Sequence, residues 1–293
     1  VAVLSPTRSS RLTLTSNFPL HLWHLLSLDA PTVAALWTWF IARTIHLHLP
    51  LVAPLAMFIA VWTLYATDRL LDARQLFANP LHTENLEERH LFHHRHTTAF
   101  LAGILLACLA LAALLPRIPT EALHLYLILG GFLIGYFVLI HATSGAHRLP
   151  KELAVGLFFS AATFIPTVAR RPDLRLALLP PALLFATLCS LNCLFIYAWE
   201  HHTSSPTHQT AHATTRLALR NLPALAVAAT LIGLALTLRD YAAPRPLAAA
   251  STLSIALLLT LHRRRHHIPA TPLRAAADLA LLTPILLIPF LHQ

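Results

Sequence analysis

LVAPLAMFIAVWTLYATDRLLDAR, residues 51–74, runs without a charge from Leu51 to Thr67 and then presents Asp68, Arg69, Asp72 and Arg74. A helix through this stretch places Asp68 and Asp72, four residues apart, on one face at the boundary of its apolar part. A soluble core helix has little use for so long an apolar run, whereas a membrane helix that ends at the interface accounts for both halves. The rest of the chain repeats the pattern of apolar run and short polar link. Apolar residues make up 56% of the 293-residue sequence and charged residues only 11%, and the mean hydropathy is +0.63. Soluble domains carry about 25% charged residues. The sequence therefore predicts an all-α, polytopic membrane protein.

A membrane-spanning helix needs about 20 mostly apolar residues. Nine segments approach this, at 31–48, 51–71, 98–115, 122–142, 152–169, 177–199, 221–238, 246–262 and 275–291. The first is the weakest, since Arg43, His46 and His48 fall near its end. Ahead of it, NFPLHLWHLLSL (17–28) reads as an amphipathic helix on the membrane surface, and nothing in the first residues has the form of a cleavable signal peptide. The expected organisation is an N-terminal cytoplasmic or interfacial segment, 1–27, followed by one transmembrane domain, 28–293.

The net charge of +9 is almost entirely arginine, Lys151 being the one lysine. The arginines are spread over short links, which fits the positive-inside rule and anionic lipid and argues against a nucleic-acid partner. With nine spans and the N-terminus inside, basic residues favour the cytoplasmic links by about two to one. The expected location is a bacterial inner membrane, with the N-terminus cytoplasmic and the C-terminus outside. On the same side fall Asp68, Asp72, Glu84, Glu87, Glu88, Glu152 and Glu200, so one face carries most of the polar chemistry. Cys108, Cys189 and Cys193 lie in apolar runs without a Cys-x-x-Cys pair and read as packing residues.

Three constellations on that face suggest chemistry. Asp68 and Asp72 repel one another, and a divalent cation would relieve this. Mg²⁺ favours one or two carboxylates plus phosphate oxygens and water. Neutralisation by Arg69 and Arg74 is the plainer alternative, and the residues alone leave both open. Asn192 and Glu200 are eight residues apart in LNCLFIYAWE and share a helix face, with Asn192 inside an apolar run where it needs a partner. Arg148 and Lys151 open the 152–169 run, where they can receive a phosphate or snorkel to lipid headgroups.

This arrangement resembles the UbiA superfamily of intramembrane prenyltransferases, which have nine transmembrane helices, an Asn-x-x-x-Asp-x-x-x-Asp motif ending helix two and a second Asp-rich motif ending helix six. Asp68 and Asp72 match the aspartates of the first motif. Asn192 and Glu200 fall on the first and last positions of the second, and RLPKELAVG (148–156) looks like the start of helix five. Leu64 stands in place of the first motif's asparagine, Ile196 at the middle position of the second, and Glu200 in place of an aspartate. The resemblance covers roughly residues 28–291. It implies transfer of an isoprenyl group from a prenyl diphosphate to an aromatic or lipid acceptor. Mg²⁺ would be held by Asp68, Asp72 and Glu200, with Asn192 completing the catalytic set. Arg69, Arg74, Arg148 and Lys151 would bind the diphosphate.

A competing reading comes from histidine. HLFHH (90–94), HQTAH (208–212) and HRRRHH (262–267) are similar to the boxes of membrane di-iron oxidases and desaturases, and imidazole suits iron. With 20 histidines in the chain, loose matches of this kind arise by chance. A non-catalytic membrane protein with solvated loop histidines is the third possibility.

Overall fold

A computed structural model describes residues 18–78, 88–142, 150–200, 212–239 and 244–292. The helices are α1 (Phe18–Leu25), α2 (Asp29–Thr44), α3 (Val52–Ala78), α4 (Glu88–Arg95), α5 (Thr97–Leu114), α6 (Thr120–Ala142), α7 (Lys151–Arg170), α8 (Arg175–Glu200), α9 (Ala213–Arg220), α10 (Leu222–Leu238), α11 (Arg245–Arg264), α12 (Ala270–Leu279) and α13 (Pro284–Leu287). Short 3₁₀ turns join several of them, and no strand occurs among the described residues. Each of the nine apolar runs contains helix. The last is segmented into α12, a 3₁₀ turn at Ala280–Leu282, α13 and a second turn at Ile288–His292.

By length and composition, five stretches among the described residues can cross a membrane: Thr97–Arg117, Lys151–Arg170, Pro172–Glu200, Arg245–His267 and Pro272–Phe290. A sixth is added if α9 and α10, bent by 77° at Asn221, act as one span. Leu101, Leu105, Leu106 and Leu109 on α5 and Leu127, Ile128, Phe132 and Ile134 on α6 are exposed, as are Leu231 and Ile232 on α10. Apolar surface this extensive is not tolerated in water. The chain is all-helical among the described residues and is an integral membrane protein, and these exposed apolar faces suit contact with lipid.

The helix that the sequence marks as the weakest span is largely enclosed by protein. α2 packs against α3, α7, α11 and α12. Trp37, Phe40 and Ile41 are fully buried, and the Trp37 ring lies 4.1 Å, centroid to centroid, from Phe185 of α8. Its indole N–H donates to the Leu281 carbonyl at 2.8 Å. A helix surrounded by protein needs no lipid-like hydropathy, so Thr32, Thr38 and the indoles are tolerated there. The helix also ends earlier than the 31–48 run, at Thr44. His46 takes a left-handed conformation (φ 55°), and the backbone N–H groups of His46 and Leu47 close on the carbonyls of Arg43 and Ala42.

Two local features fix the neighbours of α7. At Gly156 an added Cβ would lie 2.5 Å from the Ala186 carbonyl oxygen and collide with Ser190, so only glycine permits this approach of α7 to α8. At the other end, Pro166 lacks the N–H that would pair with the Ala162 carbonyl. The Tyr126 hydroxyl on α6 donates to that oxygen at 3.3 Å.

Candidate membrane-embedded binding site

A polar cavity of about 260 Å³ is lined by residues of α2, α3, α7, α8 and α12. From α3 come Tyr65 and Arg69. α7 contributes its first two residues, Lys151 and Glu152, and α8 contributes Asn192, Cys193, Ile196, Tyr197 and Glu200. Asp29 at the start of α2, and Arg274 and Asp278 on α12, complete the wall. Three cations and four carboxylates thus meet at one end of the bundle.

The charges differ in how they are held. Arg274 donates to the Glu200 carboxylate in an ion pair. Glu152 accepts from the Thr215 hydroxyl of α9 at 2.9 Å. Asn192 is buried, and its side-chain nitrogen donates to Asp278 Oδ1 at 3.3 Å. Arg69 is buried, and its guanidinium lies 5.9 Å from the centre of the Tyr65 ring, yet it makes no hydrogen bond or ion pair among the described residues. Lys151 is exposed at the mouth and likewise has no such partner among them. Among the described residues, these two cations make no ion pair that an anion would have to displace.

Tyr65, Arg69, Val155 and Arg274 also line a second, larger cavity of about 680 Å³. Its other walls are mostly apolar, with Met57, Val61 and Leu64 of α3, Leu129 and Leu133 of α6, and Phe158, Phe159 and Ala162 of α7, while Asp68, Arg117 and Arg170 are the further charged residues on it. It follows α7 from Ala154 to Arg170, about 24 Å at the helical rise. A polar compartment lined by Arg69 and Lys151 thus shares a wall with a long, mostly apolar one.

The residues expected from the sequence are distributed unevenly over this site. Arg69, Lys151, Asn192 and Glu200 meet at the polar cavity. Asp68 is exposed and lies on the wall of the apolar chamber, next to Arg69 but not on the polar cavity. Asp72 and Arg74 lie on α3, but their side chains are outside the described residues, as is Arg148 altogether. For Mg²⁺, Asp68 fits as one carboxylate of a site completed by phosphate and water. Glu200 fits poorly, because its carboxylate is already paired with Arg274.

Sequence reasoning missed Asp29, Asp278, His24 and Tyr65, and gave Glu152 and Arg274 no role beyond their side of the membrane. A signal existed for two of them. Asp29 sits at the start of one apolar run and Asp278 inside another, and an ionisable residue there marks a functional site by default. His24 is less legible. NFPLHLWHLLSL does contain helix, but α1 is tied into the bundle. His24 is buried and its Nδ1 is 3.2 Å from Asp29 Oδ2, while the Trp23 indole donates to Thr32.

The box histidines serve separate structures. His93 is fully buried and stacks on Phe100 at 4.1 Å, with Ser27 Oγ 3.4 Å away. His262 accepts from the Trp199 indole at 3.1 Å, and His212 caps α9. Residues 201–211 and the side chain of His90 are outside the described residues. Among those described, the box histidines form no metal-sized cluster.

No family model, curated protein or solved structure matches the chain.

Proposed function

We propose that the protein is a UbiA-like intramembrane prenyltransferase, binding an isoprenyl diphosphate and transferring its prenyl group to an aromatic or lipid acceptor. One observation supports this reading: a polar cavity lined by Arg69 and Lys151, which make no ion pair among the described residues, shares part of its lining with a long, mostly apolar chamber. Few ligands combine a compact polyanion with an extended hydrocarbon, and a prenyl diphosphate is one. The nine-span topology, the cytoplasmic N-terminus and external C-terminus, and the bacterial inner membrane belong to the same proposal.

In this reading Arg69 and Lys151 receive the diphosphate as charge-assisted donors. Arg69 acts from a buried position, where each hydrogen bond to developing negative charge counts for more than in water. Arg74 and Arg148 belong to the same basic rim by sequence. Asn192 and Glu200 orient the opposite wall, Glu200 by holding Arg274 in place. Asp68 and, by sequence, Asp72 would hold Mg²⁺, which would supply neutralisation of charge on the leaving diphosphate. The chamber excludes water from the allylic centre, so the acceptor rather than solvent captures it.

The test is binding of geranylgeranyl diphosphate to the purified full-length protein in detergent with Mg²⁺ present. Arg69→Gln and Lys151→Gln should each weaken binding at least about tenfold, or roughly 1.4 kcal/mol. Geranylgeraniol, which lacks the anion, should lose its preference for wild type over either variant. A parent protein that does not bind the diphosphate, or variants that bind it equally well, would refute the proposal.

A further inference from the structure

His24, Asp29 and Asp278 come from three different helices, α1, α2 and α12, and their ligand atoms lie within 4.8 Å of one another. His24 and Asp29 are more than nine-tenths buried, at 8% and 4% exposure. Two carboxylates this close cannot both remain charged in a poorly hydrated place unless a proton or a cation lies between them. His24 lies in ion-pair range of Asp29 at 3.2 Å, while Arg69 and Arg274 act on Asp29 and Asp278 without forming an ion pair with them among the described residues.

A second observation comes from α8. Asn192 is also more than nine-tenths buried, at 8% exposure, and its Oδ1 is fully shielded with no hydrogen-bond partner. The same amide touches the cluster through its nitrogen, which donates to Asp278 Oδ1. An orphaned buried carbonyl oxygen costs about 1–3 kcal/mol and needs an explanation. Rotation of the amide by half a turn exchanges its oxygen and nitrogen and turns the oxygen toward Asp278.

We propose that His24, Asp29 and Asp278, with the Asn192 side-chain oxygen, bind one divalent transition-metal ion at the inner end of the polar cavity. A dication neutralises the two carboxylates, takes an imidazole nitrogen of His24 in place of its contact with Asp29 and, once the amide has turned, gives the Asn192 oxygen a partner. Small side-chain movements contract a 4.8 Å spread of donors around an ion with bonds of about 2.0–2.2 Å. The mixed donor set favours a manganese- or iron-like ion over Mg²⁺, which is suited by oxygen ligands alone. The site joins α1, α2, α8 and α12 and stands whether or not the chamber takes a prenyl chain. It lies outside the set Asp68, Asp72 and Glu200.

Mn²⁺ is the probe, because carboxylate-containing sites suit it and isolated loop histidines hold it weakly. Full-length protein in detergent, stripped with chelator, is titrated with Mn²⁺ in the absence of any diphosphate, and free ion is read by electron paramagnetic resonance. Wild type should bind one equivalent, and the bound ion should show a nitrogen coupling. His24→Gln should abolish that coupling, and Asp278→Asn should weaken binding at least tenfold. Asp173→Asn, exposed near the opposite end of α8, should change neither. The wild-type measurement decides the matter even if a variant fails to fold. No bound Mn²⁺, or a nitrogen coupling that persists in His24→Gln, overturns the proposal and leaves the carboxyls bridged by a proton.

Discussion

Tyr126 donates its hydroxyl hydrogen to the Ala162 carbonyl, the acceptor that Pro166 leaves without a helical partner. One tyrosine thereby makes a proline tolerable within the last turns of α7, and it does so from the neighbouring helix. This joins α6 to α7 along the wall of the apolar chamber, which both Tyr126 and Pro166 line.

Tyr126→Phe removes that hydrogen bond while keeping the ring. The expected loss is about 0.5–1.5 kcal/mol of stability, the usual net worth of one such bond. Thermal unfolding of the detergent-solubilised protein measures it. An unchanged midpoint would mean that water or another donor satisfies the Ala162 oxygen.

Gly156 sits at the closest approach of α7 and α8, and a methyl group there collides with Ser190 and with the Ala186 carbonyl. Backbone cannot yield as a flexible side chain can. Gly156→Ala should therefore destabilise the protein by about 1–3 kcal/mol, the usual cost of overpacking. It should also weaken diphosphate binding, because Lys151 and Glu152 begin the same helix. Gly135→Ala is the comparison: nothing lies within 4 Å of its added Cβ, so it should unfold at nearly the parent temperature.

The apolar runs foretell where helices lie, because a chain in lipid has no other way to satisfy its backbone. Hydropathy measures exposure to lipid rather than position in the bundle. It ranks lipid-facing α5 as an emphatic span, with mean hydropathy 2.6, and underrates α2, whose Trp37 and Thr38 are enclosed by protein. The candidate site is legible only in part for a similar reason. Lys151 and Glu200 end helices and Asn192 interrupts one, so each announces itself along the chain. His24 and Asp29 are five residues apart, but Asp278 joins them from distant α12, and no local spacing encodes that convergence.

Asp68 tests the role of Mg²⁺ separately from that of Arg69. Its carboxylate faces the chamber one residue before the buried guanidinium. Asp68→Asn keeps its size and removes one charged ligand. Geranylgeranyl diphosphate binding should lose most of its Mg²⁺ dependence and fall at least about tenfold. The fold should survive, since the residue is exposed and makes no ion pair among those described. A variant with the parent's full metal response would assign Asp68 to helix termination alone.

The chamber offers a way to vary chain length without touching charge. Gly130 of α6 lines it, and an added Cβ there meets nothing within 4 Å, so the position opens onto free space. Gly130→Phe should therefore fill part of the chamber without straining the helix, and phenylalanine forms helix better than glycine does. Polar groups at the other end remain as they were. The variant should bind geranyl diphosphate about as tightly as the parent but geranylgeranyl diphosphate at least about tenfold more weakly. The ratio of the two affinities is the informative quantity, since a general loss of folding would lower both together. An unchanged ratio in a well-folded variant would show that the hydrocarbon does not run along α6 and α7, and would remove the chamber from the proposed mechanism.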